Sequence, residues 1–461
     1  MEAESTSLKT VPISKETLTR DERRAAGKAL RDKLSRTSHA NWKPPTDRQD
    51  PIDLLIESSK GRLKQLLPIR YGRMVASPFA FYRGAAAIMA ADLARTPTSG
   101  ISVQACGDCH LMNFGGYATP ECRIIFGIND FDETLPAPWE WDIKRLGTSI
   151  VIAGHHNGFS KEEIREGALR CVQSYREHMQ TYANMSILGI WHDRIDSEFI
   201  IQSAQSSKWK KIVEKQITKA VLEDDFPKLT GVENNKVRIK DTPPLIFHRS
   251  GLEGAEHNKV VQEGFRRYRE TLTDDLKKLV DYYSIKDVAM KVVGVGSVGT
   301  YCAILLLMTS DGDSLFLQVK EARTSVLEPY AGKSVYPNHG QRVVTGQKLM
   351  QAASDMFLGW TEVLGRHYYI RHLRDIKIKP RVEQFDPPRM AKYAEYCGWA
   401  LAKAHAKSGE AAMISGYLGN SNKFDEAIAS FAMNYSDQNE MDYRAFLKAV
   451  SAGSIEVYRE K

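Results

Sequence analysis

Residues 288–322, VAMKVVGVGSVGTYCAILLLMTSDGDSLFLQVKEA, hold the pattern on which the fold turns. Gly294, Gly296 and Gly299 form a G-x-G-x-x-G series with Ser297 inside it. Such glycines either open a helix whose N-terminus holds a pyrophosphate, or form the turn of a β-hairpin that covers nucleotide phosphates. The residues after the last glycine separate the two. Thr300 to Thr309 is β-branched and aliphatic, and Asp311-Gly312-Asp313 then turns the chain into a second apolar run. That is a hairpin signal, and no amphipathic helix comes after the glycines. Asp311 and Asp313 lie near the place of a ribose-binding acid, but a turn between strands is the wrong setting for one.

The second strand of the hairpin carries Lys320. A glycine loop, a returning strand and a lysine on the next strand is the arrangement of a kinase N-terminal lobe, where the lysine pairs with the α- and β-phosphates. Gly294, Gly296, Ser297, Gly299 and Lys320 are therefore the candidate nucleotide-binding residues. The lysine needs an orienting carboxylate. The helix expected from Gly340 offers Gln341, Gln347 and Gln351 but no glutamate. Glu321 alternates to the opposite face of the strand, which leaves Glu328, in SVLEPY, as the nearest candidate.

A second pattern lies at residues 105–117, ACGDCHLMNFGGY. Asp108 and Asn113 have the D-x-x-x-x-N spacing of a phosphotransferase catalytic loop, and the next expected strand delivers Asn129-Asp130-Phe131-Asp132-Glu133. Phosphoryl transfer needs Mg²⁺ held by oxygen ligands and a carboxylate near the attacking hydroxyl. Asp108 is the candidate base, Asn113 and Asp130 the candidate metal ligands, and Asp132 the rival of Asp130. The same stretch contains Cys106, Cys109 and His110 in the order C-x-x-C-H, an alternative haem or zinc pattern. Arg83, in FYRGAA, is suited either to a phosphate or to a structural salt bridge. His405 reads as a packing or hydrogen-bonding histidine, and Asp142 and Arg145 as ties between a helix and the loop.

Composition sets the frame. A chain of 461 residues with a formal charge of +7 and six cysteines can bury a large core and carries no disulfide framework. No run approaches the roughly 18 apolar residues of a spanning helix, and the N-terminus has no apolar export signal. A cytoplasmic protein with no membrane and no nucleic-acid partner is expected, and the sequence does not indicate an oligomeric state. The expected divisions are a polar segment and linker at 1–50, a helical region with the catalytic loop at 51–284, a β region with the glycine loop and lysine at 285–375, and C-terminal helices at 376–461.

The order of these parts is unusual. In ordinary kinases the glycine loop and lysine precede the catalytic loop; here the acids at 108–132 come first. CGWALAKAHA, near the C-terminus, resembles the apolar helix that precedes the catalytic loop in aminoglycoside-phosphotransferase-like enzymes. Moving residues 101 to about 150 behind residue 407 restores the usual order. The expected fold class is therefore α+β, a bilobal protein-kinase-like fold, circularly permuted, with additional helices.

Taken together, SPFAFYRGAA, GDCHLMNFG, INDFDETLPAPWEWDIKRL, VGVGSVGT, LQVKEA, GQRVVTGQKLMQAASDMFLGW and CGWALAKAHAKSG resemble a large bacterial family known only as a domain of unknown function, from about residue 25 onward. Where members commonly have F-D-I-N-D-F-D, this chain has Gly127 in place of the first acid, and R-H-L-R-D at 371–375 replaces a more usual R-Q-L-R-D. The resemblance to kinase-like phosphotransferases is more distant. The expected activity is an ATP- and Mg²⁺-dependent phosphotransferase acting on a small hydroxylated molecule, since no A-P-E motif suggests a protein substrate. Transfer of AMP on the same fold, a non-catalytic nucleotide-binding regulator, and a haem or zinc protein are the alternatives.

Overall fold

Helices and antiparallel sheets build this chain, an α+β protein as expected. The computed structural model describes residues 18–203, 207–222, 226–233, 236–249, 251–373, 378 and 380–460. Its strands are β1 (Ser102–Ala105), β2 (Phe114–Ala118), β3 (Ile124–Ile128), β4 (Leu135–Pro138), β5 (Ile195–Asp196), β6 (Thr230–Glu233), β7 (Lys236–Ile239), β8 (Ile246–Phe247), β9 (Ser284–Lys291), β10 (Cys302–Met308), β11 (Ser314–Ala322), β12 (Gly359–Val363) and β13 (Arg366–His372). Arg374 and Asp375 of the R-H-L-R-D stretch lie outside the described residues.

The expected hairpin forms as β10 and β11, with Cys302 opposite Lys320 and Met308 opposite Ser314. Gly312 takes a φ of +96° in the turn, which Thr309 and Asp313 close by backbone and hydroxyl hydrogen bonds of 3.0 Å. The continuous apolar run of β10 has a physical cause, because the sheet is covered on both faces. Leu305 and Leu307 pack with Tyr268 and Leu317 on one side, and Ile304 and Leu306 with Ile239 and Phe316 on the other.

The sheet has the order β12-β13-β11-β10-β9-β8, antiparallel throughout. The helix His339–Met350 lies in the chain between β11 and β12. It ends at Met350, short of the longer helical run that the sequence suggests, because Gln351 is already extended. Residues ahead of the expected division at 284/285 also cover this sheet. Tyr268, from the helix Gly251–Arg269, donates to Phe357 O at 2.6 Å, and a Cβ on Gly264 would meet Val363 at 2.9 Å.

The helical part is centred on two long helices, Lys161–Asn184 and Pro387–Ser408. The first starts with a capping box of Ser160 and Glu163, the second with Asp386 as cap and Pro387 in the first turn. They meet where Gly398 lies against the backbone of Cys171, and a Cβ added there would fall 2.1 Å from Cys171 O. Gly398→Ala is therefore expected to push the pair apart and cost about 3 kcal/mol, the upper part of the overpacking range. A denaturant titration of the variant with an unchanged midpoint would contradict this packing.

Two apolar runs with helical spacing in the sequence are each broken into two helices, and both breaks matter for the site. IDLLIESSKGRLKQLLPIR divides into Pro51–Ser59 and Leu67–Met74, because Gly61 takes a φ of +77° just past the first helix. RGAAAIMAADLA divides at Ala85, which puts Arg83 at the end of Pro78–Gly84 and starts a new helix, Ala86–Leu93.

Candidate functional site

The loop after β1 is held from below. Asp142, in the helix Trp139–His156, accepts the backbone N–H groups of Cys106 (2.6 Å) and Gly107 (3.0 Å). His405 bridges Asp142 (3.2 Å) and the Tyr175 hydroxyl (2.9 Å). Ser149 Oγ accepts Leu111 N–H at 3.0 Å, and the Tyr393 hydroxyl donates to Leu111 O at 2.9 Å. Gly107 has a φ of +82°, and a Cβ there would lie 2.5 Å from Glu133 O. Only glycine suits that position, so the loop is pinned in one shape. These contacts agree with the sequence-based reading of Asp142 as a tie between helix and loop and of His405 as a hydrogen-bonding histidine.

Asp108 projects from this loop into a cavity of about 500 Å³, within the range of small-molecule sites. Arg145 donates to its carboxylate from Nε at 2.9 Å and also from Nη2, and stacks over Tyr82 at 4.4 Å. His110 Nε2 lies 3.7 Å from Asp108, but burial, with Arg83 and Arg145 nearby, pushes this imidazole well below its ordinary pKa and keeps it neutral. Asn113 donates from Nδ2 to Asp108 O at 2.7 Å. Its Oδ1 has no hydrogen-bond partner among the described residues. The thiols of Cys106 and Cys109, from the C-x-x-C-H pattern, are buried in the main core beneath the loop.

β3 delivers the acids. The Asp130 carboxylate accepts Asp132 N–H at 3.2 Å and pairs with no cation among the described residues. Burial first, and then the neighbouring Asp132 charge, raises its pKa. Asp132 has both oxygens engaged, one by Lys320 Nζ at 2.7 Å and one by the Tyr369 hydroxyl at 2.6 Å. Burial alone would raise Asp132, but Lys320 and Tyr369 hold it below the usual carboxylate value. The same partner outweighs the desolvation of Lys320 and keeps its ammonium charged. Lys320 is thus oriented by Asp132 instead of Glu328. Glu328 lies 3.7 Å from His339 Nδ1 and serves a different neighbour.

The glycine loop spans 292–301 between β9 and β10, with Gly294 at φ +68° and Gly299 at φ +89°. Leu63 N–H donates to Gly299 O (2.7 Å), Arg62 Nη1 to Val298 O (2.8 Å), and Arg73 to Gly294 O. A Cβ on Gly296 would lie 3.3 Å from Arg83 O and 4.0 Å from Asp108 Oδ2. The loop therefore reaches over the catalytic-type loop with no room to spare.

One cavity gathers most of the residues singled out by sequence. Asp108, Asn113, Asp130, Asp132, Gly294, Gly296 and Ser297 all line it, across nearly two hundred residues of chain. Lys320 stands behind Asp132, while Gly299 and Glu328 are outside the lining. Arg83 also lines it. Its Nε is buried without a partner and it forms no ion pair with a described residue, although burial opposes its charge and Asp108 lies close by. Arg62, Arg70, Arg323 and Arg371 complete the basic wall. Sequence patterning misses these four, and the only local signal for the first two is the Lys60-Gly61 break.

The residues suit a divalent cation that is completed by a ligand's own oxygens. Asn113 Oδ1 and the Asp130 carboxylate are oxygen donors with spare capacity, and Mg²⁺ is commonly held by one or two carboxylates plus phosphates. Among the described residues no group of three or more His, Cys, Asp or Glu side chains is arranged to hold a metal by itself. No helix of the described residues is long and apolar enough to cross a membrane.

A family model described as "Uncharacterized protein conserved in bacteria (DUF2252)" matches residues 62–449. No curated protein and no solved structure matches the chain.

Proposed function

The chain belongs to that bacterial family, and from its cleft we propose that it is an ATP- and Mg²⁺-dependent, kinase-like phosphotransferase acting on a small hydroxylated molecule. The observation that carries this reading is the convergence of Asp108, Asn113, Asp130 and the glycine loop on one cavity, although they lie far apart in sequence. Strand topology adds support. The order β9-β10-β11-β13-β12, with the glycine turn after β9, the lysine on β11 and a helix before β12, is compatible with a kinase N-terminal lobe. The catalytic-type loop precedes that lobe in the chain, which is the permutation inferred from motif order.

In this reading the glycine loop holds the nucleotide phosphates, and Lys320, behind Asp132 in the cavity wall, lends its positive charge to them. Asn113 and Asp130 hold Mg²⁺, whose charge offsets that of the transferring phosphoryl group. Asp108, fixed by Arg145, orients the acceptor hydroxyl and takes its proton. Arg83, a cation without an ion-pair partner beside Asp108, is available to the transferred phosphate. The Asp132–Lys320 pair does the work that a helix glutamate does in ordinary kinases.

The test is a thermal-shift titration with ATP and Mg²⁺. Saturation at about 100 times Kd should stabilise the protein by ~2.7 kcal/mol, and ATP without Mg²⁺ should shift Tm less. No shift at millimolar MgATP overturns the proposal. Product analysis then separates phosphoryl from AMP transfer, since one releases ADP and the other pyrophosphate.

A further inference from the structure

The turn at Ser58–Lys60, on the cleft wall, collects three guanidinium groups. Arg62 donates from Nε to Ser58 O at 3.3 Å. Arg323, just past the end of β11, donates from Nη1 to the same oxygen at 3.1 Å and from Nη2 to Lys60 O. Arg70 donates from Nη1 to Ser59 Oγ at 3.1 Å and from Nη2 to Gly84 O at 2.7 Å. Arg70 is only 2% exposed, and its Nε is buried without a partner. All three residues line the cavity, and none forms an ion pair with a described carboxylate.

Such a cluster is costly for the ligand-free protein. Burying a charge without a counter-charge is unfavourable, and like charges at close range add to the penalty. Burial, reinforced by Arg323, pushes Arg70 down to about 10, although Tyr71 opposes the shift. Burial again, then Arg70 and Arg323, lowers Arg62 well below its ordinary value, although Glu133, which lines the same cavity without an ion pair to Arg62, opposes the shift. Hydrogen bonds to carbonyl and hydroxyl oxygens orient these groups but do not neutralise them. A bound oxyanion would do so, and guanidinium forks match phosphate geometry. Arg70 and Arg323 take no part in holding the nucleotide in the reading above, which uses the glycine loop, Lys320, Asn113 and Asp130, whereas Arg62 also steadies that loop through Val298 O.

We propose that Arg62, Arg70 and Arg323 form a phosphate-binding subsite, so that the acceptor is a small molecule carrying a phosphate group as well as the reacting hydroxyl. The assignment of that phosphate to an acceptor rests on the phosphotransferase reading; the anion site itself rests on the arginines.

Inorganic phosphate is the probe. In calorimetric and thermal-shift titrations of the full chain, phosphate should bind in the presence of saturating MgADP as well as in its absence. Arg323→Ala and Arg323→Lys should each weaken phosphate about tenfold or more, the effect of losing one charged hydrogen bond, while the MgADP response persists. Arg62→Ala should weaken phosphate similarly but also loosen the glycine loop, whose Val298 O it holds. Arg323→Gln retains a donor for Ser58 O without the charge and should lose phosphate affinity similarly, which guards against a folding defect in the alanine variants. Absence of phosphate binding, retention of it in all variants, or its displacement by MgADP would each overturn the subsite. A protein that binds phosphate through these arginines but fails to bind MgATP would retain the subsite and lose the proposed function.

Discussion

On the phosphotransferase proposal, Asp130→Asn is expected to lower Mg²⁺- and ATP-dependent turnover by about 10²- to 10³-fold, the loss typical of a principal electrostatic group, and at the same time to raise Tm of the ligand-free protein. The two effects have one cause. Asp130 is a buried carboxylate beside Asp132, with no cation partner among the described residues, and its pKa is raised. Below the unfolded-state pKa the group is protonated in both states and contributes no difference. Above the raised folded-state pKa it is charged in both, and the folded state bears the full penalty. Near neutral pH the amide removes that penalty and still accepts Asp132 N–H through Oδ1. The same sign governs ligand binding: as pH falls toward the raised pKa, Asp130 loses its charge earlier than an ordinary carboxylate, and Mg²⁺-dependent nucleotide affinity falls with it. Asp108→Ala should reduce turnover comparably while leaving the MgATP thermal shift in place. A variant of Asp130 that keeps full turnover, or that destabilises the ligand-free protein near neutral pH, contradicts this account.

The parts legible in sequence are those encoded locally. The β10–β11 hairpin can be read because its apolar runs and its Asp-Gly-Asp turn lie side by side. The catalytic-type loop can be read because Asp108 and Asn113 are spaced by the loop itself, whose internal hydrogen bond joins Asn113 to Asp108 O. The partner of Lys320 is not legible. Asp132 reaches it from 188 residues earlier in the chain, and no spacing rule connects them. Looking forward along the chain leads instead to Glu328, whose neighbour is His339. The arginine cluster is hidden differently. Apolar periodicity runs on through Gly61, so the turn that gathers Arg62, Arg70 and Arg323 reads as continuous helix. Sequence leaves Arg83 open between a salt bridge and a phosphate, and only three-dimensional context shows that no described carboxylate pairs with it. Local rules thus locate the backbone devices of the site, whereas the charges that complete it depend on contacts between distant segments.

Asp142→Ala is expected to destabilise the protein by about 3–5 kcal/mol and to abolish turnover, although Asp142 does not line the cavity. The carboxylate is 1% exposed on its side chain and serves as acceptor for Cys106 N–H, Gly107 N–H and His405 Nε2. Alanine leaves two buried backbone donors and the buried His405 Nε2 without a partner, the ring keeping only its Tyr175 contact, at roughly 1–3 kcal/mol for each unsatisfied group. The two backbone donors, Cys106 and Gly107, lie within two residues of Asp108, so the fault falls where position matters most, and a displacement of about 1 Å can cost 10²-fold in rate. Asp142→Asn separates support from charge. Its Oδ1 can replace one of the two carboxylate oxygens, but its Nδ2 can accept nothing, so stability should fall between wild type and alanine. In this variant turnover should drop mainly through kcat, with nucleotide KM little changed, because Lys320 and the glycine loop stay in place. Urea unfolding measures the first effect and steady-state kinetics the second. Wild-type stability in Asp142→Ala would mean that the loop does not depend on this acceptor, and the pre-organisation of Asp108 would need another source.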